Sequence, residues 1–163
     1  MNIITSQQLL KRYPLSSFHN ASVFGALPDT AILWLFEHGV IREFTAGEQL
    51  FSPGKPGDSF HVILAGSVDY CKYHDGRYAF IRQYKTGEQI GFVSMIALHD
   101  RVGRALACDP VISVEIDSGV FHDFHLRHPL EFGILMMNLA REMARTLRST
   151  NNILVDRFST AKE

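Results

Sequence analysis

The placement of glycines in the middle of the chain constrains its fold more than any other sequence feature. Seven of the twelve glycines lie between Gly47 and Gly91, and they separate short stretches rich in β-branched and aromatic residues. Such stretches favour extended strands, and Asp75-Gly76 between two of them predicts a two-residue hairpin turn. The segment 40–117 is therefore expected to form short antiparallel strands: VIREFT, FHVILA, VDYCKYH, YAFIRQY, RALAC and VISVEI.

The segments on either side of these strands have a helical pattern. LPDTAILWLFEH, which spans 27–38, places its apolar residues on one face of a helix, so residues 1–39 are predicted to be mostly helical. After Asp117 the strand pattern ends, and 118–163 is predicted to contain helices, with one long helix over 129–157. The order of elements predicts a mainly β protein with flanking helices, a jelly roll (double-stranded β-helix) with a long C-terminal helix.

The long helix carries an apolar stripe that predicts a dimer. At about 1.5 Å per residue the helix is roughly 43 Å long, more than a domain of this size covers by itself. A second copy of helix 129–157 is the simplest cover, so a homodimer is predicted; the alternative is a helix lying across its own sheet, which accounts for the first half of the stripe. The stripe has spacings of three and four residues and consists of Phe132, Met136, Leu139, Met143, Leu147, Thr150 and Leu154.

Composition narrows the class of protein. The formal net charge of −1 and the absence of a basic cluster predict no direct DNA binding and no attraction to an anionic membrane. No secretory signal or membrane span is visible, and the two cysteines, Cys71 and Cys108, form no C-x-x-C pattern, so a cytoplasmic protein with free thiols is expected. The sequence contains no P-loop, G-x-S-x-G or H-E-x-x-H, so we expect no enzymatic activity and no catalytic residues.

An anion-binding segment is predicted after the last of the central glycines. Gly91 ends a strand, Phe92–Leu98 has the pattern of a short helix, and Arg101 follows ten residues after Gly91. The free N–H groups of a helix N-terminus attract anions, and a guanidinium binds the same anion bidentately. The structural alternative is an ordinary connection between strands with an exposed arginine.

Several motifs in this region resemble a known family. The stretch EFTAGEQLFSPGKPGDSFHVILAGSVDYCKYHDGRYAFIRQYKTGEQIG is similar to the strand core of cyclic-nucleotide-binding domains, and 91–107 aligns without gaps with that family's phosphate-binding cassette. EMARTLRSTNN resembles the dimer helix of the catabolite activator and fumarate-nitrate regulator branch, and the resemblance covers 24–151. It implies a single domain over 1–163, with N-terminal helices to residue 39, a β-roll over 40–117 that contains the cassette 90–104, and C-terminal helices.

The resemblance also implies a ligand site. Gly91 matches the glycine that approaches the ribose, and Arg101 matches the arginine that pairs with the cyclic phosphate. Ser94 and Val102 match positions that offer backbone N–H groups, although the hydroxyl common at the latter position is absent. On the long helix, Thr150 and Asn151 match positions that reach the adenine edge, Asn151 from the neighbouring subunit of a dimer.

Residue 92 departs from the family pattern, and this difference bears on whether the domain binds a cyclic nucleotide. Phe92 stands where the cassette has a glutamate that binds the ribose 2′-hydroxyl, and losing such a bond weakens binding by about ten- to hundredfold. The favoured hypothesis is a regulatory module that senses cyclic AMP or a related anionic ligand and signals to an unknown effector protein. The alternatives are a dimerisation domain that binds no ligand and a haem-type sensor with His61, Cys71 or His99 on the iron. No metal site is predicted, because FHVILAGSV lacks the H-x-H pair of metal-binding jelly rolls.

Overall fold

The computed structural model describes the backbone of residues 1–160 and the side chains of residues 1–155. Residues 161–163, the end of the predicted helical segment 118–163, lie outside the described residues. The five helices are α1 (Ser6–Arg12), α2 (Asp29–His38), α3 (Phe92–Ile96), α4 (Ser118–Arg127) and α5 (Pro129–Thr160), and a 3₁₀ turn spans Leu15–Phe18. None of the described helices has the length and apolar character needed to cross a bilayer.

Two antiparallel sheets form the centre of the molecule. The five-stranded sheet has the order β1-β2-β9-β4-β7, and the four-stranded sheet has the order β3-β8-β5-β6. Asp75 and Gly76 both have positive φ, at 48° and 76°, so the predicted hairpin between β5 and β6 is confirmed. The strands are β1 (Asn2–Ile4), β2 (Val40–Phe44), β3 (Gln49–Phe51), β4 (Ser59–Ala65), β5 (Ser67–His74), β6 (Arg77–Lys85), β7 (Gln89–Ile90), β8 (Gly103–Ala107) and β9 (Val111–Asp117).

This arrangement confirms the predicted fold class, a mainly β jelly roll with flanking helices and a long C-terminal helix. One part of the prediction for residues 1–39 is wrong, since the segment begins with strand β1. β1 pairs with β2, and Ile4 is buried opposite Ile41. The three residues of β1 are too few to show a periodic pattern, and a partner almost forty residues away supplies their backbone hydrogen bonds.

The five-stranded sheet has two different faces. One face packs against the helices, where Phe60, Val62, Val114 and Ile116 contribute to a large apolar core. The other face lies against the four-stranded sheet, and we call the space between the two sheets the roll interior. The roll interior contains the apolar Ile63 together with several polar side chains of β4 and β9, which are described below.

Helix α5 is buried against the rest of the molecule in its first half, and beyond it Thr146 still accepts a hydrogen bond from Arg82. Leu135 and Leu139 are fully buried, and buried Asn138 donates from Nδ2 to the backbone oxygens of Val23 (3.0 Å) and Gly25 (2.7 Å). From Leu147 onward the predicted stripe is exposed, with 63% of the Leu147 surface accessible. The stripe therefore passes from the molecule's own core to an apolar surface without cover from the described residues.

Candidate anion-binding site

Gly91 begins the predicted anion-binding segment in a conformation that requires glycine. It follows β7 with φ of +101° and precedes α3, whose first residue is Phe92. A Cβ at this position would lie 2.5 Å from Nη1 of Arg101, so the position lacks space for a side chain as well as the backbone freedom. The chain thereby brings a backbone turn into direct contact with the arginine that follows ten residues later.

Arg101 is turned into the roll interior and is almost completely buried, with 4% of its surface exposed. Its Nη1 donates to the backbone oxygen of Gly91 (2.8 Å), and its Nη2 donates to the backbone oxygen (2.5 Å) and Oγ (3.1 Å) of Ser59. The guanidinium carbon lies 4.4 Å from the centre of the Phe51 ring, so the planar group is also stacked. The sequence-based alternative of an exposed arginine is therefore wrong.

The charge of Arg101 has no carboxylate partner among the described residues. None of their ion pairs includes it, and its buried Nε has no hydrogen-bond acceptor. Burial lowers the pKa of Arg101, and the more distant carboxylates of Asp58 and Glu115 only partly oppose that effect. Buried arginines are normally paired, because removing an unpaired charge from water is costly. An anion that reached this guanidinium would supply the missing partner.

Arg101 lines a cavity of about 320 Å³ in the roll interior, which we call the interior cavity. Lys55 and Asp58 stand at its exposed side, and Ser59, His61 and Glu115 form part of its wall. A volume near 300 Å³ is at the small end of the range for ligand-binding pockets. The cavity is thus open to small molecules and is lined by charged groups of both signs.

The wall of the interior cavity is a connected set of polar groups. Glu115 accepts from Nε of Arg42 (2.6 Å) and from Oγ of Ser59 (2.9 Å), so the hydroxyl that Arg101 contacts is itself tied to a carboxylate. Burial raises the pKa of Glu115, but the positive charges and hydrogen bonds around it, including those from Arg42 and Ser59, outweigh that and hold it below its usual value. The side chain is therefore an ionised acceptor at neutral pH.

His61 lies beside this carboxylate without pairing with it. The imidazole is 2% exposed, its Nδ1 lies 3.2 Å from Oγ of Ser113, and its Nε2 lies 3.9 Å from Oε1 of Glu115. Burial lowers the pKa of His61 to about 4, helped by the positive charges of Arg101 and Arg42 and opposed by Glu115. A neutral imidazole enclosed in this way belongs to the roll interior, and nothing places it beside Cys71 or His99, the other residues considered for iron.

The other predicted ligand-binding residues of the cassette, Phe92, Ser94 and Val102, do not line the interior cavity. The Phe92 ring is 1% exposed and packs in the helix-side core, with its centre 5.4 Å from that of Phe60 and 5.9 Å from that of Phe121. Ser94 is buried in α3, and Val102 is 44% exposed, with its backbone oxygen accepting from the N–H of Tyr73. Phe92 thus leaves the ligand side without an acceptor and fills the core.

Thr150 lines a different cavity, of about 620 Å³, between α5 and the roll, which we call the α5 cavity. Arg82 on β6 crosses it: Nη1 donates to Oγ1 of Thr146 (3.2 Å), Nη2 pairs with Glu88, and the guanidinium stacks on Tyr84. Arg101 does not line the α5 cavity, and Thr150 does not line the interior cavity. Arg101 and Thr150, which the family resemblance assigns to one ligand, thus line different cavities, and Asn151 is exposed on α5.

Sequence reasoning missed several residues of these cavities, among them Ser59, Glu115 and Arg82. None of them stands in a local motif, since each reaches its cavity through strand pairing. His61 and Glu115 are direct cross-strand partners on β4 and β9, separated by more than fifty residues in the sequence. The one available signal was a polar residue at an inward position of a strand, such as Glu115 within VISVEI.

The match to a family model agrees with this geometry. The cyclic nucleotide-binding domain family matches residues 41–128, which is more than half of the chain and includes the cassette and Arg101. The chain therefore belongs to the cyclic nucleotide-binding domain family, a family of regulatory domains.

Individual proteins and solved structures are similar to this chain over most of its length. It is 27% identical over 141 residues to the CRP-like cAMP-activated global transcriptional regulator of Mycobacterium tuberculosis, covering 86% of this chain and 61% of the regulator. A cyclic nucleotide-binding domain from Methylobacillus flagellatus superposes with a TM-score of 0.79 at 18% identity, covering 91% of this chain and 85% of that one. The guanosine-bound regulatory subunit of a cAMP-independent protein kinase A from Trypanosoma cruzi gives 0.69 at 20% identity, covering 91% and 52%.

Proposed function

We propose that this chain is a ligand-sensing regulatory module that binds a small anionic ligand at Arg101 and passes the signal through α5 to a separate effector protein. One observation carries the proposal: a nearly fully buried arginine at the family's phosphate-binding position has no carboxylate partner among the described residues. A guanidinium bonded only to neutral oxygens gains more from an anion than one already in an ion pair. The free cysteines, Cys71 and Cys108, suit a reducing cytoplasm.

The ligand we propose is a cyclic nucleotide or a related anionic molecule. One relative, the regulator of Mycobacterium tuberculosis, is described as cAMP-activated, and cyclic AMP carries a negative charge on its phosphate. With Phe92 in the core, no carboxylate of α3 is available to a ribose 2′-hydroxyl, which favours ligands held mainly by their charge. Cyclic AMP is therefore expected to bind more weakly than it does to a site with the family glutamate, by about ten- to hundredfold.

We further propose that α5 pairs with the same helix of a second copy. Leu147 and Leu154 are 63% and 46% exposed and continue the stripe that is buried nearer the start of the helix, and the neighbouring Ile153 is 53% exposed. Exposed apolar side chains repeated along one helix are typical of a helix–helix interface. In such a dimer the α5 cavity of each protomer lies next to the helix–helix interface. A movement of the β-roll on ligand binding would then change the positions of both α5 helices.

The competing function is a dimerisation domain that binds no ligand. One observation favours it: Arg101 already donates three hydrogen bonds within the protein, to Gly91 and Ser59, so the free protein satisfies part of its hydrogen-bonding capacity. In that case the cassette is a structural connection, and only the dimer contributes to function.

Thermal unfolding with a panel of ligands separates these functions. We expect cyclic AMP, cyclic GMP, cyclic di-GMP or guanosine monophosphate to raise the Tm of the wild type and to leave that of Arg101→Ala unchanged. Arg104→Ala is the matched control, because Arg104 belongs to the same cassette but stacks on Tyr78 at 4.0 Å outside both cavities. If no ligand raises the wild-type Tm, the sensing function is wrong and the dimerisation function stands.

Sedimentation analysis tests the dimer separately. Leu147→Glu places a charge in the exposed stripe and is expected to convert a dimer to a monomer at micromolar concentration. Asn152→Glu adds the same charge on another side of the exposed part of α5 and should leave the dimer intact. A wild-type protein that sediments as a monomer would contradict the proposed pairing.

A further inference from the structure

The interior cavity is lined by a second positively charged residue, Lys55, in addition to Arg101. The turn that carries Lys55 is joined to the backbone of Arg101 at two points: the N–H of Gly54 donates to the oxygen of Arg101 (2.9 Å), and the N–H of Arg101 donates to the oxygen of Lys55 (2.8 Å). Both side chains line the same cavity. These two hydrogen bonds hold the backbone of Lys55 beside that of Arg101, so the exposed lysine side chain starts next to the buried arginine.

The wall of the interior cavity next to Arg101 offers acceptors, because Oγ of Ser59 contacts both Nη2 of Arg101 (3.1 Å) and Oε1 of Glu115 (2.9 Å). Glu115 receives one hydrogen bond at each carboxylate oxygen, from Arg42 and Ser59, and a carboxylate accepts about four in total. His61 lies next to this carboxylate, with its Nε2 3.9 Å from Oε1 of Glu115. A ligand with a hydroxyl or ammonium group therefore meets free acceptor capacity on this side.

The charges that line the interior cavity leave a positive excess at the Lys55 end. Glu115 is neutralised by Arg42, which stands behind it, and His61 is uncharged at neutral pH. Asp58 is then the only uncompensated carboxylate of the described lining, against Lys55 and Arg101. The cavity thus offers positive charge to an anion at Lys55 and Arg101, and acceptor oxygens to a neighbouring hydrogen-bond donor at Glu115.

We propose that the interior cavity binds a compact organic anion whose phosphate or carboxylate lies between Lys55 and Arg101 and whose hydroxyl or ammonium group faces Glu115. The inference rests on the proposed anion-binding role of Arg101 and narrows its ligand. The cavity of about 320 Å³ suits a ligand smaller than a nucleotide that spans both cavities, because Thr150 of the α5 cavity does not contribute to it.

Isothermal titration calorimetry on the full chain tests this site with glycerol 3-phosphate, O-phosphoserine, malate and inorganic phosphate. We expect at least one of the three organic anions to bind the wild type, and to bind more tightly than inorganic phosphate, which lacks the group that faces Glu115. Lys55→Ala should weaken that binding about tenfold, since Lys55 is exposed and its removal leaves the fold intact. Lys72→Ala removes an exposed lysine of β5 outside the cavity and should change nothing.

Glu115→Gln and Arg101→Lys complete the test. Glu115→Gln should reduce the difference in affinity between glycerol 3-phosphate and inorganic phosphate. Arg101→Lys keeps the positive charge and removes the guanidinium hydrogen bonds, so this variant replaces Arg101→Ala if Arg101→Ala does not fold. The inference is overturned if none of the probes binds, or if binding is equal in Lys55→Ala and Lys72→Ala. If cyclic AMP binds through Arg101 without any effect of Lys55→Ala, the proposed function stands and this inference fails. If the organic anion binds through Lys55 and no cyclic nucleotide binds, the reverse holds.

Discussion

The two faces of the five-stranded sheet use the same strands for different purposes. On β4 and β9, Phe60, Val62, Val114 and Ile116 point to the helices and are fully buried. The alternate residues point to the roll interior, where Ser59, His61, Ser113 and Glu115 surround or adjoin the interior cavity. Successive side chains of a strand point to opposite faces, so the seven residues of each strand supply both the apolar core and the wall of the cavity.

The side chains on the two faces of the sheet contribute differently to stability and to the candidate site. Burial of apolar side chains on the helix side stabilises the fold, at about 25 cal/mol for each Å² removed from water. Polar and charged groups in the roll interior contribute less, because hydrogen bonds inside the protein replace hydrogen bonds to water. A buried arginine without a carboxylate partner and a buried neutral histidine are costly arrangements, and such arrangements are concentrated at functional sites.

The largest expected effect is on the helix side. Phe92→Glu restores the residue typical of the family cassette, but it places a carboxylate where a ring with 1% exposure contacts Phe60 and Phe121. We expect the free energy of unfolding to fall by about 4 kcal/mol, since large apolar contacts are lost and a charge is buried. Chemical denaturation followed by circular dichroism measures this change, and titration with cyclic AMP should show no gain in affinity.

Val93→Glu is the matched control for that substitution. Val93 is the next residue of α3 and is 57% exposed, so the same new charge should change stability by no more than about 0.5 kcal/mol. A Phe92→Glu variant that is as stable as Val93→Glu and binds cyclic AMP more tightly would show that residue 92 can turn to the ligand side.

The second effect belongs to the roll interior and depends on pH. The pKa of His61 is lowered to about 4 in the folded protein from its ordinary value of 6.5, chiefly by burial. Between these values the unfolded chain binds the proton more readily than the folded protein does. The contribution of neutral His61 to the free energy of unfolding is therefore fully present above pH 6.5 and is lost as the pH falls towards 4. From pH 7 to pH 5 this group alone should remove about 2 kcal/mol from the free energy of unfolding, at about 1.4 kcal/mol per unit.

His61→Gln isolates this contribution, because glutamine does not titrate. We expect the difference in unfolding free energy between wild type and His61→Gln to shrink or change sign as the pH falls from 7 to 5. His74→Gln is the control: His74 is exposed on the β5–β6 hairpin, and its replacement should leave the pH dependence of the wild type unchanged. A constant difference between wild type and His61→Gln over this range would mean that His61 is not held neutral by its surroundings.

Local sequence patterns predicted what depends on local geometry. Gly91, Arg101 and the hairpin at Asp75-Gly76 were found because a turn, a helix start and a short spacing are visible in adjacent residues. The polar wall of the interior cavity was not found, because Glu115 reaches Ser59 and His61 only through the register of β4 with β9. A register set by long-range pairing leaves no mark in either strand alone beyond a polar residue among apolar ones.

The stripe of α5 shows a different limit. Its spacing predicted one continuous apolar face, and the structure buries Leu139 while leaving Leu147 exposed. Periodicity reports which residues share a helix face, and it does not report where the covering surface ends. Thr150 was assigned to the ligand of Arg101 by the family resemblance and not by periodicity, and that assignment stays a prediction; in the structure the two residues line different cavities.

The smallest effect concerns the hydrogen bond that orients His61. Ser113 is fully buried, and its Oγ lies 3.2 Å from Nδ1 of His61. Ser113→Ala should lower the free energy of unfolding by about 1 kcal/mol at pH 7, because the imidazole nitrogen loses its partner in a place that water does not reach. Ser16→Ala, at an exposed position of the N-terminal segment, should stay within about 0.5 kcal/mol of the wild type. Equal stability of the two variants would mean that the interior polar groups are hydrated in the free protein, so that losing this hydrogen bond has no cost.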